Sequence, residues 1–289
     1  MTGKLGPGPT VIRMVLGAHL RRLREARGIS RGAAGHEIRA SESKMSRLEL
    51  GRVGCKYRDV EDLLTFYEVV DEAERAPILA LARDANKPGW WRGFADVLPN
   101  WFELYLGLES AATVIRIYEA QFIPGLLQTE DYARALIAQS AADGVVAVEG
   151  IEPRVRMRLK RQEILAQPHP PQLWAVLDEA VVRRQVGGPA VMRAQLKHLI
   201  ALSEQPNLTI QVMPLGFGAH HAEGGAFTIL RFAEPELSDV VYLEYLTDAV
   251  YVDKPQDVDF YSEAMDRLAG NSTLPATFAR FLEKITAGM

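Results

Sequence analysis

Residues 28–52 read Gly28-Ile-Ser-Arg-Gly-Ala-Ala-Gly-His-Glu-Ile-Arg-Ala-Ser-Glu-Ser-Lys-Met-Ser-Arg-Leu-Glu-Leu-Gly-Arg52. Two short helices separated by a tight turn are written here. Ser30 stands ready to cap a first helix over 31–38. Ser41 stands ready to cap a second over 42–50, which Gly51 ends. Serine before a periodic apolar segment and glycine after it are start and stop signals. Ala34, Gly35, Ile38, Met45 and Leu48 take the inward positions, leaving Glu42, Ser43, Lys44, Ser46 and Arg47 on the exposed start of the second helix. A short helix, a tight turn and a polar, basic second helix make a helix-turn-helix, the arrangement that enters the major groove of DNA. The turn carries Arg39 where glycine commonly supplies a left-handed backbone. A side chain there costs about 1 kcal/mol, which a domain can absorb.

Upstream, Val15, Leu16, Leu20 and Leu23 recur at helical spacing and predict an amphipathic helix over 15–27. Its other face carries Arg21, Arg22, Arg24 and Arg27, for which a solvated charged face is the plain reading. Downstream, Lys56, Tyr57 and Arg58 lead into a helix over 59–68 with Val60, Leu63, Leu64 and Tyr67 as its buried stripe. About five small helices around one core give an all-α domain over 13–70. Residues 1–12 lack the apolar stretch of a signal peptide and read as a disordered lead-in.

A chain of 289 residues has room for two cores. Its net charge of −4 hides an asymmetry. Residues 1–69 hold 13 Lys/Arg against 8 Asp/Glu, and the remainder 20 against 29. Affinity for a polyanion follows local charge, so the basic head is expected to approach DNA and the acidic body to stay off it. No run of 18 apolar residues predicts a membrane helix. Cys55 stands alone, which excludes an intrachain disulfide or a cysteine-based metal cage and fits a reducing cytoplasm.

Residues 14–69 resemble the DNA-binding domain of the xenobiotic-response-element type, the helix-turn-helix family that includes the lambda-type phage repressors. The most specific part is Lys44-Met-Ser-Arg-Leu-Glu-Leu-Gly-Arg52. The resemblance implies that Glu42, Ser43, Lys44 and Arg47 reach base edges, and that Arg31, where glutamine is common, touches phosphate. The chemistry suits these roles: Lys or Arg can donate to guanine, and Ser can bond either kind of base edge. Glu42 could accept from a cytosine amino group or simply favour the positive helix start. Arg47 could equally pair with Glu49 or a phosphate. Ser30, Arg31, Ser41, Ser46, Arg52, Lys56 and Arg58 are the candidate phosphate contacts, which position without specifying. Two heads on a two-fold symmetric operator supply the usual affinity, so a homodimer is expected.

A helix over 71–85 carries Ile78, Leu81, Ala82 and Ala85 on one side, and Pro88-Gly89 punctuates the chain after it. Residues 71–89 therefore read as a linker helix and hinge. Trp90 and Trp91 then anchor the linker to the body or offer an aromatic platform. The body, 90–289, reads as α+β. Helices are predicted over 101–112, 129–140, 152–166, 189–204, 256–269 and 275–287. Strands are predicted over 113–118, 172–177, 208–213, 227–232, 240–245 and 249–252, the last four forming a mostly antiparallel sheet.

Several stretches of the body are distinctive together: Trp90-Trp91, Tyr118-Glu-Ala-Gln-Phe-Ile-Pro-Gly-Leu-Leu-Gln-Thr-Glu-Asp-Tyr-Ala-Arg134, Arg161-Gln-Glu163, Trp174-Ala-Val-Leu-Asp-Glu-Ala180 and Val241-Tyr-Leu-Glu244. They resemble the large carboxy-terminal domain, of poorly defined function, of a transcriptional regulator family abundant in actinobacteria. Its members often lie beside a gene for a small acidic protein, and some such pairs are toxin–antitoxin-like. The resemblance implies a regulator with a small protein partner.

Chemistry in the body has thin support. His220-His221-x-Glu223, Asp178-Glu179 and Glu244 could bind zinc or move protons. The helical spacing of a hydrolytic zinc site is missing, as are a nucleophile elbow, a phosphate loop and a dinucleotide fingerprint. The reading is an exposed histidine pair on a non-enzyme without metal or cofactor; a metal-dependent enzyme is the remote alternative. Glu119, Gln121 and Gln128, which flank Phe122-Ile-Pro-Gly125, could line a pocket or partner surface, as could Trp90, Trp91, His220 and His221. Two body functions compete: a small-molecule sensor with an enclosed pocket, or an antitoxin-like platform for the acidic partner.

Overall fold

The computed structural model describes residues 9–144, 147–222, 224–235 and 237–289. They divide into two compact units. One runs from the amino terminus to Gly93 and adds Glu103–Ala111 and Phe232–Ser238; the other comprises Phe94–Phe102, Ala112–Arg231 and Asp239–Met289.

The first unit opens with five helices: α1 (Pro9–Ala26), α2 (Arg31–Glu37), α3 (Glu42–Glu49), α4 (Tyr57–Phe66) and α5 (Glu72–Asp84). Leu16, Leu20, Ala34, Met45, Leu48, Val60, Leu63, Leu64 and Tyr67 make one core, each nearly or wholly excluded from solvent. Helix α1 starts six residues before the periodicity predicts. Proline is tolerated in a first helical turn, and Thr10 and Val11 are buried behind Pro9. The expected lead-in thus falls partly on this helix, and its first eight residues lie outside the described part.

Helix α5 corrects the linker reading. Ile78, Leu79, Ala82 and Ala85 belong to the same core as α1 and α4. An apolar helix face needs a partner, and here the partner is the head itself. The punctuation at 88–89 does not end the unit either. Asn86 donates to the carbonyls of Cys55 (2.7 Å) and Ala82 (3.0 Å). Trp90 Nε1 donates to Ser110 Oγ at 3.2 Å, within the same unit. The chain continues through α6 (Asn100–Glu109), whose residues from Glu103 onward belong to this unit.

The second unit is α+β. Six strands, β1 (Val114–Glu119), β2 (Gln172–Asp178), β3 (Leu208–Met213), β4 (Phe227–Arg231), β5 (Val240–Glu244) and β6 (Ala249–Val252), form one sheet in the order β3-β2-β1-β4-β5-β6. Around it lie α7 (Glu130–Ala142), α8 (Ile151–Gln162), α9 (Glu179–Arg183), α10 (Gly188–Leu202), α11 (Pro255–Asn271) and α12 (Pro275–Ala287). The sheet is mixed and mostly antiparallel. β1 pairs parallel with β2 and antiparallel with β4, and β4, β5 and β6 follow as an antiparallel meander.

All six predicted strands are present. Their grouping differs, because β3 lies beside β2 in parallel at the far edge and not with the last three. The segment between β2 and β3 holds α9 and α10, and a helical crossover returns the chain to the same end, which makes the pair parallel. One face of the sheet, with Tyr118, Val176, Met213, Phe227, Ile229 and Val241, packs against Val258, Met265 and Leu268 of α11. The other face carries Ile115, Ile117, Leu173, Ala175, Leu177, Ile210 and Val212, all buried. Among the described residues, no helix is long and apolar enough to cross a membrane.

Candidate nucleic-acid interface

Helices α2 and α3 start as their caps dictate. Ser30 Oγ accepts from Ala33 N at 3.1 Å, and Ser41 Oγ accepts from Lys44 N at 3.2 Å. Each serine satisfies a backbone donor that the first turn would leave open. Between the helices Arg39 adopts φ +53°, the left-handed conformation that the turn demands. α3 ends at Gly51, with φ +66°.

What holds α3 is its inner side and its carboxy-terminal end. Met45 and Leu48 are buried, and so is Glu49. Glu49 takes a forked pair from Arg24 of α1: Nε to Oε1 at 2.5 Å and Nη2 to Oε2 at 3.0 Å. The third nitrogen of Arg24 donates to Ile29 O at 2.8 Å, reaching the segment that enters α2. The hydrogen bond to Glu49 raises the guanidinium above its ordinary pKa. Arg24 is therefore a buried tie between three segments and not part of a solvated face. Nor does Glu49 pair with Arg47, whose Nε donates to Ser43 O at 3.4 Å.

Backbone contact reinforces the tie. A Cβ on Gly17 of α1 would lie 2.5 Å from Glu49 O and 2.6 Å from Leu48 O. Only glycine lets α1 approach the last turn of α3 so closely.

The residues singled out for DNA sit on the remaining surface. Glu42, Ser43 and Arg47 are exposed; Lys44 and Ser46 are half-buried. Arg31, at the start of α2, donates from Nη1 to Ser46 Oγ at 3.3 Å, joining the outer sides of the two helices. Ser30, Ser41, Arg52, Lys56 and Arg58 are exposed as well. Cys55 is buried, and burial pushes its thiol up to about 12.

The candidates in the rest of the chain do not form one site. Trp90 and Trp91 pack edge to face, centroids 5.8 Å apart, and Trp91 is buried, so neither is an open platform. Gln121 and His221 are exposed. His220 is only half-buried because its Nε2 meets Tyr118 Oη at 3.1 Å while Nδ1 accepts from Ala222 N at 3.2 Å. The exposed-pair reading thus holds for His221 alone, and Glu223 lies outside the described residues. Gln128 is buried as a clamp, donating to Ile123 O at 2.7 Å and accepting from Arg158 Nη1 at 2.9 Å. Its partner in bracing this loop, Gln195 of α10, went unread. That side chain accepts from Thr129 N at 2.7 Å and donates to Leu127 O at 2.8 Å. Burial, and then the neighbouring Glu244, push the Glu119 carboxyl up to about 8. Among the described residues, no group of three His, Cys, Asp or Glu side chains could hold a metal ion.

Two family models match the chain. A helix-turn-helix domain matches residues 15–78, and a "Domain of unknown function (DUF5753)" matches residues 102–284. No curated protein and no solved structure matches. A helix-turn-helix head is the module of a DNA-binding regulator.

Proposed function

The chain belongs to the family defined by the domain of unknown function DUF5753, and from that membership and its helix-turn-helix head we propose that it is a sequence-specific transcriptional regulator. The observation that carries the reading is the division of labour on α3. Its inner side and last turn are pinned by Met45, Leu48, Glu49 and backbone contact with Gly17, while Glu42, Ser43 and Arg47 stay free to meet a groove. We assign the head to the lambda-repressor-like subtype on the stretch 44–52.

In this reading Glu42, Ser43, Lys44 and Arg47 face base edges. Ser30, Arg31, Ser41, Ser46, Arg52, Lys56 and Arg58 face phosphates around them. The protein works in the cytoplasm as a homodimer on a two-fold symmetric operator, carries out no reaction of its own, and uses its body as a sensor. The small interface of one such head supports the dimer.

Binding-site selection followed by anisotropy titration tests the reading. Lys44→Ala and Arg47→Ala are expected to relax the preference at single positions by about 1–3 kcal/mol. Arg52→Ala is expected to weaken all sequences alike and to flatten the salt dependence. A chain that binds selected and scrambled duplexes equally sinks the proposal. Light scattering that finds one chain per operator removes the dimer.

A further inference from the structure

The two edges of the sheet end differently. Along β3, Thr273 N donates to Val212 O at 2.8 Å, and the Thr273 hydroxyl accepts from Val212 N at 2.9 Å. At the opposite edge, among the described residues, no strand lies beyond β6. Ala249-Val-Tyr-Val252 carries neither charge nor proline, two common guards of an edge. Val250 is 45% exposed.

The β5–β6 hairpin decides which residues of β6 face outward. Tyr245 N donates to Asp248 O at 2.9 Å, so these two form a hydrogen-bonded pair. Bonded and non-bonded pairs alternate along an antiparallel ladder. Leu243 with Val250 and Val241 with Val252 are then the next bonded pairs. Ala249 and Tyr251, which alternate with them, turn their backbone N–H and C=O groups away from β5. Two observations agree. Ala249 N donates to its neighbour Asp248 Oδ1 at 2.8 Å and not to β5. The Tyr242 and Tyr251 rings lie 5.3 Å apart, as suits a non-bonded pair, whose side chains stand closer.

Another strand adds to this edge only where outward residues meet outward residues. For an antiparallel copy of the same strand, Ala249, Tyr251 and Asp253 must therefore face one another, which restricts the register to steps of two. Centred on Tyr251, the pairing sets Tyr251 against itself, Ala249 against Asp253 and Val250 against Val252. It also sets Asp248 against Lys254 twice, in non-bonded positions. Both charges are exposed, and Lys254 keeps an extended backbone, φ −73° and ψ 125°. A slide of two in either direction loses this match and sets Asp248 against Val252, or Lys254 against Val250.

We propose that β6 is the interface between two copies of this chain, joined antiparallel about a two-fold axis through Tyr251 into one continuous sheet. The assignment names the surface behind the homodimer reading and rests on that reading. On pairing, Ala249 N exchanges its bond to Asp248 for one to Asp253 O across the axis, which releases Asp248 to meet Lys254.

Sedimentation and light scattering of the full chain over a range of concentrations test this. Asp248→Lys and Lys254→Asp each set like charges opposite one another, and the symmetry repeats each reversal twice. Each is expected to weaken the dimer by about tenfold. The double variant is expected to restore it. Within one chain the two positions stand about 20 Å apart along an extended strand, so the rescue must act between copies. Val250→Cys combined with Val252→Cys leaves these charges in place and is expected to link two copies under mild oxidation. Positions two apart on one strand are too distant to bridge each other. A dimer unmoved by either reversal, a double variant as weak as the singles, or no link between copies overturns this interface; two chains per operator would still uphold the homodimer. A monomer at every concentration, with one chain per operator, overturns both.

Discussion

Arg24 and Glu49 meet in a forked pair whose side chains are almost wholly shielded, 7% and 3% exposed. The pair joins the middle of the head's first helix to the last turn of its third. Removing one member leaves the other charged and buried, at a cost of about 3–5 kcal/mol. Arg24→Met is therefore expected to lower protection from hydrogen exchange across residues 42–49 of the full chain. Replacing both, Arg24→Met with Glu49→Leu, should recover most of the loss, since no lone charge remains. A double variant as unprotected as the single one would show that the bond to Ile29 O carries the effect.

Gly17 and Gly32 separate close approach from helix propensity. A Cβ on Gly17 must push backbone atoms of Leu48 and Glu49 aside, whereas one on Gly32 finds nothing nearer than Ser30 Oγ at 3.8 Å. Gly17→Ala is expected to destabilise the head by about 1–3 kcal/mol. Gly32→Ala is expected to stabilise it by up to about 1 kcal/mol. Urea unfolding of the two variants should move in opposite directions.

Arg39 holds φ +53° with an exposed side chain. Arg39→Gly relieves a conformational cost of about 1 kcal/mol and should raise stability by no more than that. A drop would mean that the arginine side chain makes a compensating contact.

Glu119 makes stability depend on pH with a definite sign. Burial, and then the neighbouring Glu244, push its carboxyl up to about 8 in the folded chain, against 4.5 for an ordinary glutamate. Between these values the folded state holds a proton that the unfolded state has lost. Its contribution is fully present below 4.5 and is lost as pH rises to about 8. The slope is at most about 1.4 kcal/mol per pH unit for one such proton. Glu119→Gln should flatten the profile in that window, checked by urea midpoints from pH 5 to 9.

The helix-turn-helix was legible because its signals are local. Ser30, Ser41, Gly51 and the spacing of Met45 and Leu48 act within a few residues, and both helix starts fall where the caps place them. The strands were legible from alternation, but not the position of β3, because pairing depends on where α10 returns the chain. Arg24 and Glu49 are 25 residues apart, and Gln195 is 68 from Leu127. Nothing local distinguishes a buried, bonded polar side chain from a solvated one. The short α9, whose cap is Asp178 Oδ1 accepting from Ala180 N at 2.8 Å, has a start signal but no period to follow it.

The packing of Gly17 against the last turn of α3 has a bearing on descent. Because the helix is held by the close packing of its last turn on Gly17 and by Glu49, positions 42, 43 and 47 contribute little to keeping the head folded. Mutation can sample new side chains there while 17, 45, 48 and 49 stay fixed. Target preference can then diverge among descendants of one scaffold without each change having to be rescued elsewhere.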